Sequence, residues 1–181
     1  LDAIARAEDF TGPFRTAQVL AADEDTVTFS ELPGHLLHDG LPVADGTWRR
    51  AWRETLQAWS AAVDGSRRRA GTDDAHSSPV HGPAAETAVL IAWCERADAV
   101  DPAGARVRER AVTAARRELA RLGAARAPAL IHRDLHDKQI LWREGEPPAL
   151  LDVDTATLGD PALDAANLRA HATWRELQGI W

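Results

Sequence analysis

The 181-residue sequence contains no methionine, no tyrosine and a single cysteine, Cys94. One thiol excludes an internal disulfide and a multi-cysteine zinc site. Without methionine, Leu1 is not a translational start, and the chain is read as a segment of a longer protein. Its first residues, LDAIARAED, read as the tail of a helix and carry no export signal, so the cytoplasm is the expected compartment. No stretch reaches the roughly 18 apolar residues that a membrane span needs. Positive charge is in the minority, with 21 Lys and Arg against 28 Asp and Glu and a net charge of −7. That balance argues against nucleic-acid binding. It suits a cationic partner or an anion bridged by Mg²⁺.

What is present is ordinary for a folded domain. Hydrophobic residues make up 45% and charged residues 27%, too apolar for wholesale disorder. Gly12-Pro13 marks a turn within Thr11–Arg15. The runs Ala17–Ala21 and Thr26–Ser30, with Asp23-Glu24-Asp25 between them, predict a hairpin. Leu32-Pro33-Gly34 then breaks the chain, and the main boundary is placed there, with mostly helical sequence beyond it.

Thr47 is the expected N-cap of a helix carrying Trp48, Trp52, Leu56 and Trp59 at helical spacing. Gly65–Pro83 has almost no apolar residue and is expected to be a long mobile surface loop, its Arg67-Arg68-Arg69 run serving only as solvating charge. Two further helices are expected. One spans Ala84–Val100, with Val89, Leu90, Trp93 and Ala97 on one face. The other spans Ala105–Leu122 and stops at Gly123. Short apolar runs follow at Pro128–Ile131, Gln139–Trp142 and Ala149–Val153. Asp160-Pro161 then signals the start of a last helix.

The densest polar cluster, His132-Arg133-Asp134-Leu135-His136-Asp137-Lys138-Gln139, lies between two of those apolar runs. Such a stretch makes a loop held between strands, where functional side chains concentrate. Asp152 follows Asp134 by 18 residues, at the end of the next apolar run, with Asp154 two further on. Phosphoryl transfer needs a carboxylate beside the attacking hydroxyl, and oxygen ligands that hold Mg²⁺ against the phosphates. A loop Asp, an amide five residues later and an Asp at the end of the following run supply that inventory.

The pair HRDLHDKQIL and LLDVDTATLGDPALDAANL resembles the catalytic half of the aminoglycoside phosphotransferase / choline kinase-like family, a branch of the protein-kinase-like fold. That family reads H-x-D-x-x-x-x-N, then D-x-D or D-x-E, then G-D-P-x-x-D-x-A. The matching residues are His132, Asp134, Asp152, Asp154, Gly159, Asp160, Pro161, Asp164 and Ala166, and Gln139 stands where the family has Asn. The resemblance implies an α+β protein whose mainly helical C-terminal lobe (34–181) bears the catalytic loop on a small β-hairpin. Residues 1–33 would be a remnant of the N-lobe sheet with its hinge. It implies ATP and Mg²⁺ as cofactors and a small-molecule hydroxyl as acceptor, with Asp134 as catalytic base. Gln139, Asp152 and Asp154 would sit at the metal, and backbone groups at Glu31–Pro33, Glu31 and Leu32 among them, at the adenine. His132 and Asp164 would support the loop.

HRD also occurs in protein kinases. Here, however, Asp154 replaces the glycine of D-F-G, and Asp164 follows Asp152 by only 12 residues, too few for an activation loop. A small-molecule kinase is therefore expected. It is expected to be incomplete in this segment, because no Gly-rich loop or strand Lys precedes Ala17. The alternative from another class is a catalytically impaired, pseudokinase-type binding module, which Gln139 would permit. A third reading is a metallohydrolase on His132, Asp134 and His136, or zinc on His132, His136 and Asp137. Trp48, Trp52 and Trp59, and likewise Trp93 and Trp142, are read as core rather than as a cation–π box. Cys94 is read as buried, and Lys138 as solvated.

Overall fold

The apolar runs separated by turn residues become short strands, and the alanine-rich stretches become helices. The computed structural model describes residue 10 and residues 12–38, 44–70 and 80–181. The helix expected over Leu1–Asp9 lies outside the described residues. Nine strands and four helices follow in chain order among those residues. They are β1 (Arg15–Thr16), β2 (Val19–Ala22), β3 (Val27–Phe29), β4 (His35–Leu36), α1 (Thr47–Ala70), β5 (Val80–His81), α2 (Pro83–Val100), α3 (Ala105–Leu122), β6 (Ala129–Ile131), β7 (Ile140–Trp142), β8 (Ala149–Leu150), β9 (Thr157–Gly159) and α4 (Ala162–Leu177). This mixture of helices and small sheets agrees with the α+β expectation.

Three sheets form. The order β1-β8-β7-β4 makes the largest, with β1 parallel to β8 and the other pairs antiparallel. The order β5-β9-β6 makes the second, and β2-β3 a separate hairpin. The hairpin matches expectation. Its turn is built by Asp23, whose Oδ1 accepts the N–H groups of Asp25 and Thr26 at 2.9 and 2.8 Å. Strands β1, β4 and β5 fall in stretches expected to be turn, helix or loop. Each is two residues long and exists only through its partner strand. At Gly159 a Cβ would run into Ile131 Cδ1, so a larger residue there would force the Ile131 side chain to shift.

Helix α1 lays Ala51, Thr55, Ala58 and Ala62 on the core, four residues at helical spacing. Trp52 and Trp59 pack against the same core, as the spacing predicts. Two features differ from expectation. Thr47 is the first helical residue rather than the cap, and its N–H donates to Asp45 Oδ1 at 2.9 Å. The helix also continues through residues 65–70, which removes them from the expected loop. Tertiary contacts extend it: buried Ser66 Oγ accepts the Leu130 N–H at 2.6 Å, and Arg67 Nε reaches Ala127 O at 3.3 Å. Arg67, Arg68 and Arg69 then fall in the last turn, where cations suit the negative end of the helix dipole.

Helices α2 and α3 form a hairpin pinned by Arg108 to Asp98 and to Asp101. Gly123 ends α3 with φ 72°, its N–H donating to Leu119 O at 3.0 Å. Neither helix has a buried residue, so Trp93 is not core. It is 63% exposed, and Cys94 is only half-buried. On the periodic face of α2, Val89, Leu90 and Ala97 are half-buried and Trp93 is exposed. The core instead gathers Phe10, Phe14, Leu37, Leu130, Leu135, Ile140, Trp142, Leu150 and Leu168 around the base of the polar loop. Among the described residues no helix is long and apolar enough to cross a membrane.

Candidate active site

The loop 132–139 leaves β6 and returns as β7, and its shape is fixed from below. Asp164, fully buried near the start of α4, accepts the backbone N–H of His132 at 2.9 Å and of Arg133 at 2.8 Å. Trp59 Nε1 lies 3.4 Å from the same carboxylate. Burial pushes the Asp164 carboxyl up from its ordinary value, and those N–H groups work against the rise. Pro161 takes the cap position of α4, one residue later than expected, and Asp160 just before it accepts the Ala162 N–H on Oδ1 at 3.0 Å.

His132 is fully buried, and both ring nitrogens are engaged. Nε2 donates to Leu151 O at 2.7 Å, and Nδ1 accepts the Asp134 N–H at 3.3 Å. Thr155 Oγ1 donates to His132 O at 2.8 Å. Leu135 is 1% exposed and anchors mid-loop, worth about 1.5–3 kcal/mol of apolar burial. Asn167 Nδ2 donates to the Leu135 carbonyl at 3.2 Å. Arg133 sits at φ 72°, a left-handed backbone unusual for arginine. Its Nε is buried without a hydrogen-bond partner among the described residues.

On top of this frame the expected polar groups converge. Gln139 Nε2 lies 3.4 Å from Asp134 Oδ2 and 3.1 Å from Asp152 Oδ2, so one amide bridges the two carboxylates. Asp152 follows β8 with φ 55° and ψ 55°, a left-handed turn that Asp tolerates better than most residues. Partial desolvation, and then the neighbouring Asp154 carboxylate, push the Asp152 carboxyl up, and Gln139 opposes that rise. The Asp152 and Asp154 carboxylates are hard donors, adjacent like charges favour a cation between them, and the Gln139 amide, whose nitrogen faces Asp152 here, offers a third oxygen once turned. The set therefore fits Mg²⁺. Lys138 is exposed, as expected.

The connector at Glu31–Pro33 is irregular, and Arg15 Nη2 donates to Pro33 O at 3.0 Å. The backbone groups of Glu31 and Leu32 meet no hydrogen-bond partner among the described residues.

Beneath the loop lies a charged hub that the sequence did not reveal. Asp137 is fully buried, and its Oδ2 meets Arg175 Nε at 2.8 Å and His38 Nδ1 at 2.7 Å. Burial alone would raise its carboxyl, but Arg175 and His38 outweigh that and hold it below the ordinary value. A signal existed: Asp164, Leu168, His171 and Arg175 recur at helical spacing, so polar groups share a face with a core leucine. His136, Asp137 and His171 bring three ligand atoms within 4.8 Å of one another. They make a poor zinc centre. Arg175 already neutralises Asp137, and His136 Nδ1 accepts the Lys138 N–H at 3.1 Å. His132 has no free nitrogen either, which argues against the zinc set of His132, His136 and Asp137 and against the metallohydrolase set of His132, Asp134 and His136.

The indoles do not form a cation box. Trp48, Trp52 and Trp181 meet one another tilted or edge-on, with centroids 5.3 to 6.0 Å apart, which leaves no gap for an ammonium group. Trp142 is 4% exposed and belongs to the core.

The expected hairpin does not carry the loop, because β6 and β7 lie in different sheets. A braced loop between them, whose Asp134 and Gln139 meet Asp152 from the end of β8, is the kind of centre a phosphotransferase uses. The model of the phosphotransferase enzyme family matches residues 28–180, and the chain belongs to that family. No curated protein matches the chain.

Proposed function

We propose that the protein transfers the γ-phosphoryl group of ATP to a hydroxyl of a small molecule. The observation that carries this reading is the Gln139 amide between Asp134 and Asp152, 3.4 and 3.1 Å away. Asp134 is the carboxylate for the acceptor: it takes the hydrogen bond of the attacking hydroxyl and orients its lone pair. The hydroxyl oxygen bonds to the γ-phosphorus as the bond to the β–γ bridging oxygen breaks. ADP leaves, and the hydroxyl proton passes to Asp134. The transition state is loose, so positioning and charge neutralisation do most of the work.

Gln139, Asp152 and Asp154 would hold Mg²⁺, with the Gln139 amide turned to present its oxygen. When bound, Mg²⁺ neutralises charge on the phosphate oxygens. The backbone of Glu31 and Leu32 would receive the adenine edge. His132 and Asp164 keep the loop in its shape. The acceptor class that fits the net charge of −7 is an alcohol bearing a cationic group, such as an amino alcohol or an aminoglycoside.

The test is turnover of the intact protein against a panel of such alcohols, with ³¹P NMR detecting the phosphate ester. Asp134→Asn should abolish transfer and spare binding of Mg²⁺-ATP. Near-wild-type turnover in this variant would contradict the assignment. Nucleotide binding with no transfer to any acceptor by the wild type would favour the pseudokinase-type module.

A further inference from the structure

His136 follows the proposed base by two residues, and no step above uses it. Its environment is specific. Nδ1 accepts the Lys138 N–H at 3.1 Å, which fixes the ring proton on Nε2. That Nε2 lies 3.6 Å from Asp134 Oδ2. The ring stacks on His171, with centroids 4.3 Å apart and planes 8° from parallel. The side chain is only 12% exposed, and burial lowers its pKa, which favours the neutral ring. The Gln139 amide faces the same Asp134 oxygen at 3.4 Å.

We propose that His136 is a positioning residue for Asp134: its Nε2–H holds Oδ2 from behind, leaving Oδ1 for the acceptor hydroxyl. This rests on the reading of Asp134 as the base. A distance of 3.6 Å is longer than a hydrogen bond. Such contacts at catalytic groups are often long without substrate and tighten in the complex. The stack on His171 keeps the ring from rotating, and His171 rides on α4. The same helix carries Asp164, which braces the start of the loop. Orientation of the base is thereby tied to docking of α4.

The two ring nitrogens do different work, so two variants separate them. In His136→Asn the side-chain oxygen can still accept the Lys138 N–H, but no donor reaches Asp134. In His136→Gln the longer amide can place a donor where Nε2 was. His136→Asn should keep its melting temperature and acceptor KM and lose about 10- to 100-fold in kcat, the usual cost of removing a supporting partner. His136→Gln should recover most of that loss. Wild-type kcat in His136→Asn, or no recovery in His136→Gln, would overturn the proposal. Asp134→Asn, assayed alongside, separates the two ideas. If it is inactive while His136→Asn runs at full rate, only the positioning role fails. If it keeps wild-type kcat, the reading of the base fails as well. A readout independent of turnover is ¹⁵N NMR of the imidazoles. The Nε2–H tautomer is expected for His136, with an Nε2 signal that moves in Asp134→Asn. A Nδ1–H tautomer, or an unmoved signal, would also overturn it.

Discussion

Asp164 accepts the Arg133 N–H at 2.8 Å, and Arg133 is one of two non-glycine residues in the left-handed region among the described residues. A buried carboxylate thus holds the loop at its most strained point, directly before Asp134. A left-handed arginine costs roughly 1–2 kcal/mol, and a hydrogen bond to a charged group returns a comparable 1.5–3 kcal/mol.

Replacing that carboxylate leaves one of the two loop N–H groups facing an amide NH₂. Asp164→Asn should lower stability by about 1–3 kcal/mol, the cost of an unsatisfied buried donor. A urea titration should show a lower midpoint with an unchanged slope. An unchanged midpoint would mean the loop holds its shape without Asp164.

The Asp137–Arg175 pair ties the loop to α4. Arg175→Met leaves the buried carboxylate without its guanidinium and should cost about 3–5 kcal/mol near neutral pH. The pH dependence has a definite sign. In the native protein the Asp137 carboxyl is held below its ordinary value. Its contribution to stability is therefore present above the ordinary carboxylate range and is lost as pH falls through the lowered value. In Arg175→Met that carboxyl rises instead, so the deficit of the variant should shrink on acidification. Stability curves of the two proteins from pH 7 down to pH 4 measure this directly. A deficit that stays constant would contradict it.

Asp152 and Asp154 raise a separate expectation. The neighbouring carboxylate helps push the Asp152 carboxyl up. Asp154→Asn removes that like charge, so the Asp152 carboxyl should titrate lower than in the wild type, as followed by ¹³C NMR. The same variant should gain less thermal stability from Mg²⁺ than the wild type does, since one hard oxygen donor becomes a neutral amide. An Asp152 titration that does not move would separate the two carboxylates.

Much of the site was legible before any coordinates. The polar stretch from His132 to Gln139 stood out because it interrupts apolar runs, and Asp160-Pro161 announced α4. The strands β1, β4, β5 and β9 were not legible, since each is two or three residues long and, unlike β6, β7 and β8, lies in no apolar run. Their pairing is decided by segments up to 134 positions away, as Arg15 beside Ala149 illustrates. The last turns of α1 were hidden because Gly65-Ser66 reads as a loop until Ser66 meets Leu130. Trp93 was misplaced because an apolar periodic face implies a covering layer, and here Val89, Leu90 and Ala97 are only half-buried while Trp93 stays exposed. For the hub of His38, Asp137 and Arg175 the helical spacing of Arg175 with Leu168 was the one signal, and the pairing itself joins three separate segments of the chain.

The most direct test of the phosphotransfer reading is a thermal-shift titration of the intact protein with ATP, with Mg²⁺, and with both, in the wild type and in Asp134→Asn and Asp152→Asn. A ligand at 100 times its dissociation constant stabilises a protein by about 2.7 kcal/mol. The account predicts a Mg²⁺-dependent shift by ATP in the wild type and in Asp134→Asn, with the Mg²⁺ dependence lost in Asp152→Asn. No shift by ATP with Mg²⁺, or an Asp152→Asn protein that responds like the wild type, would contradict it.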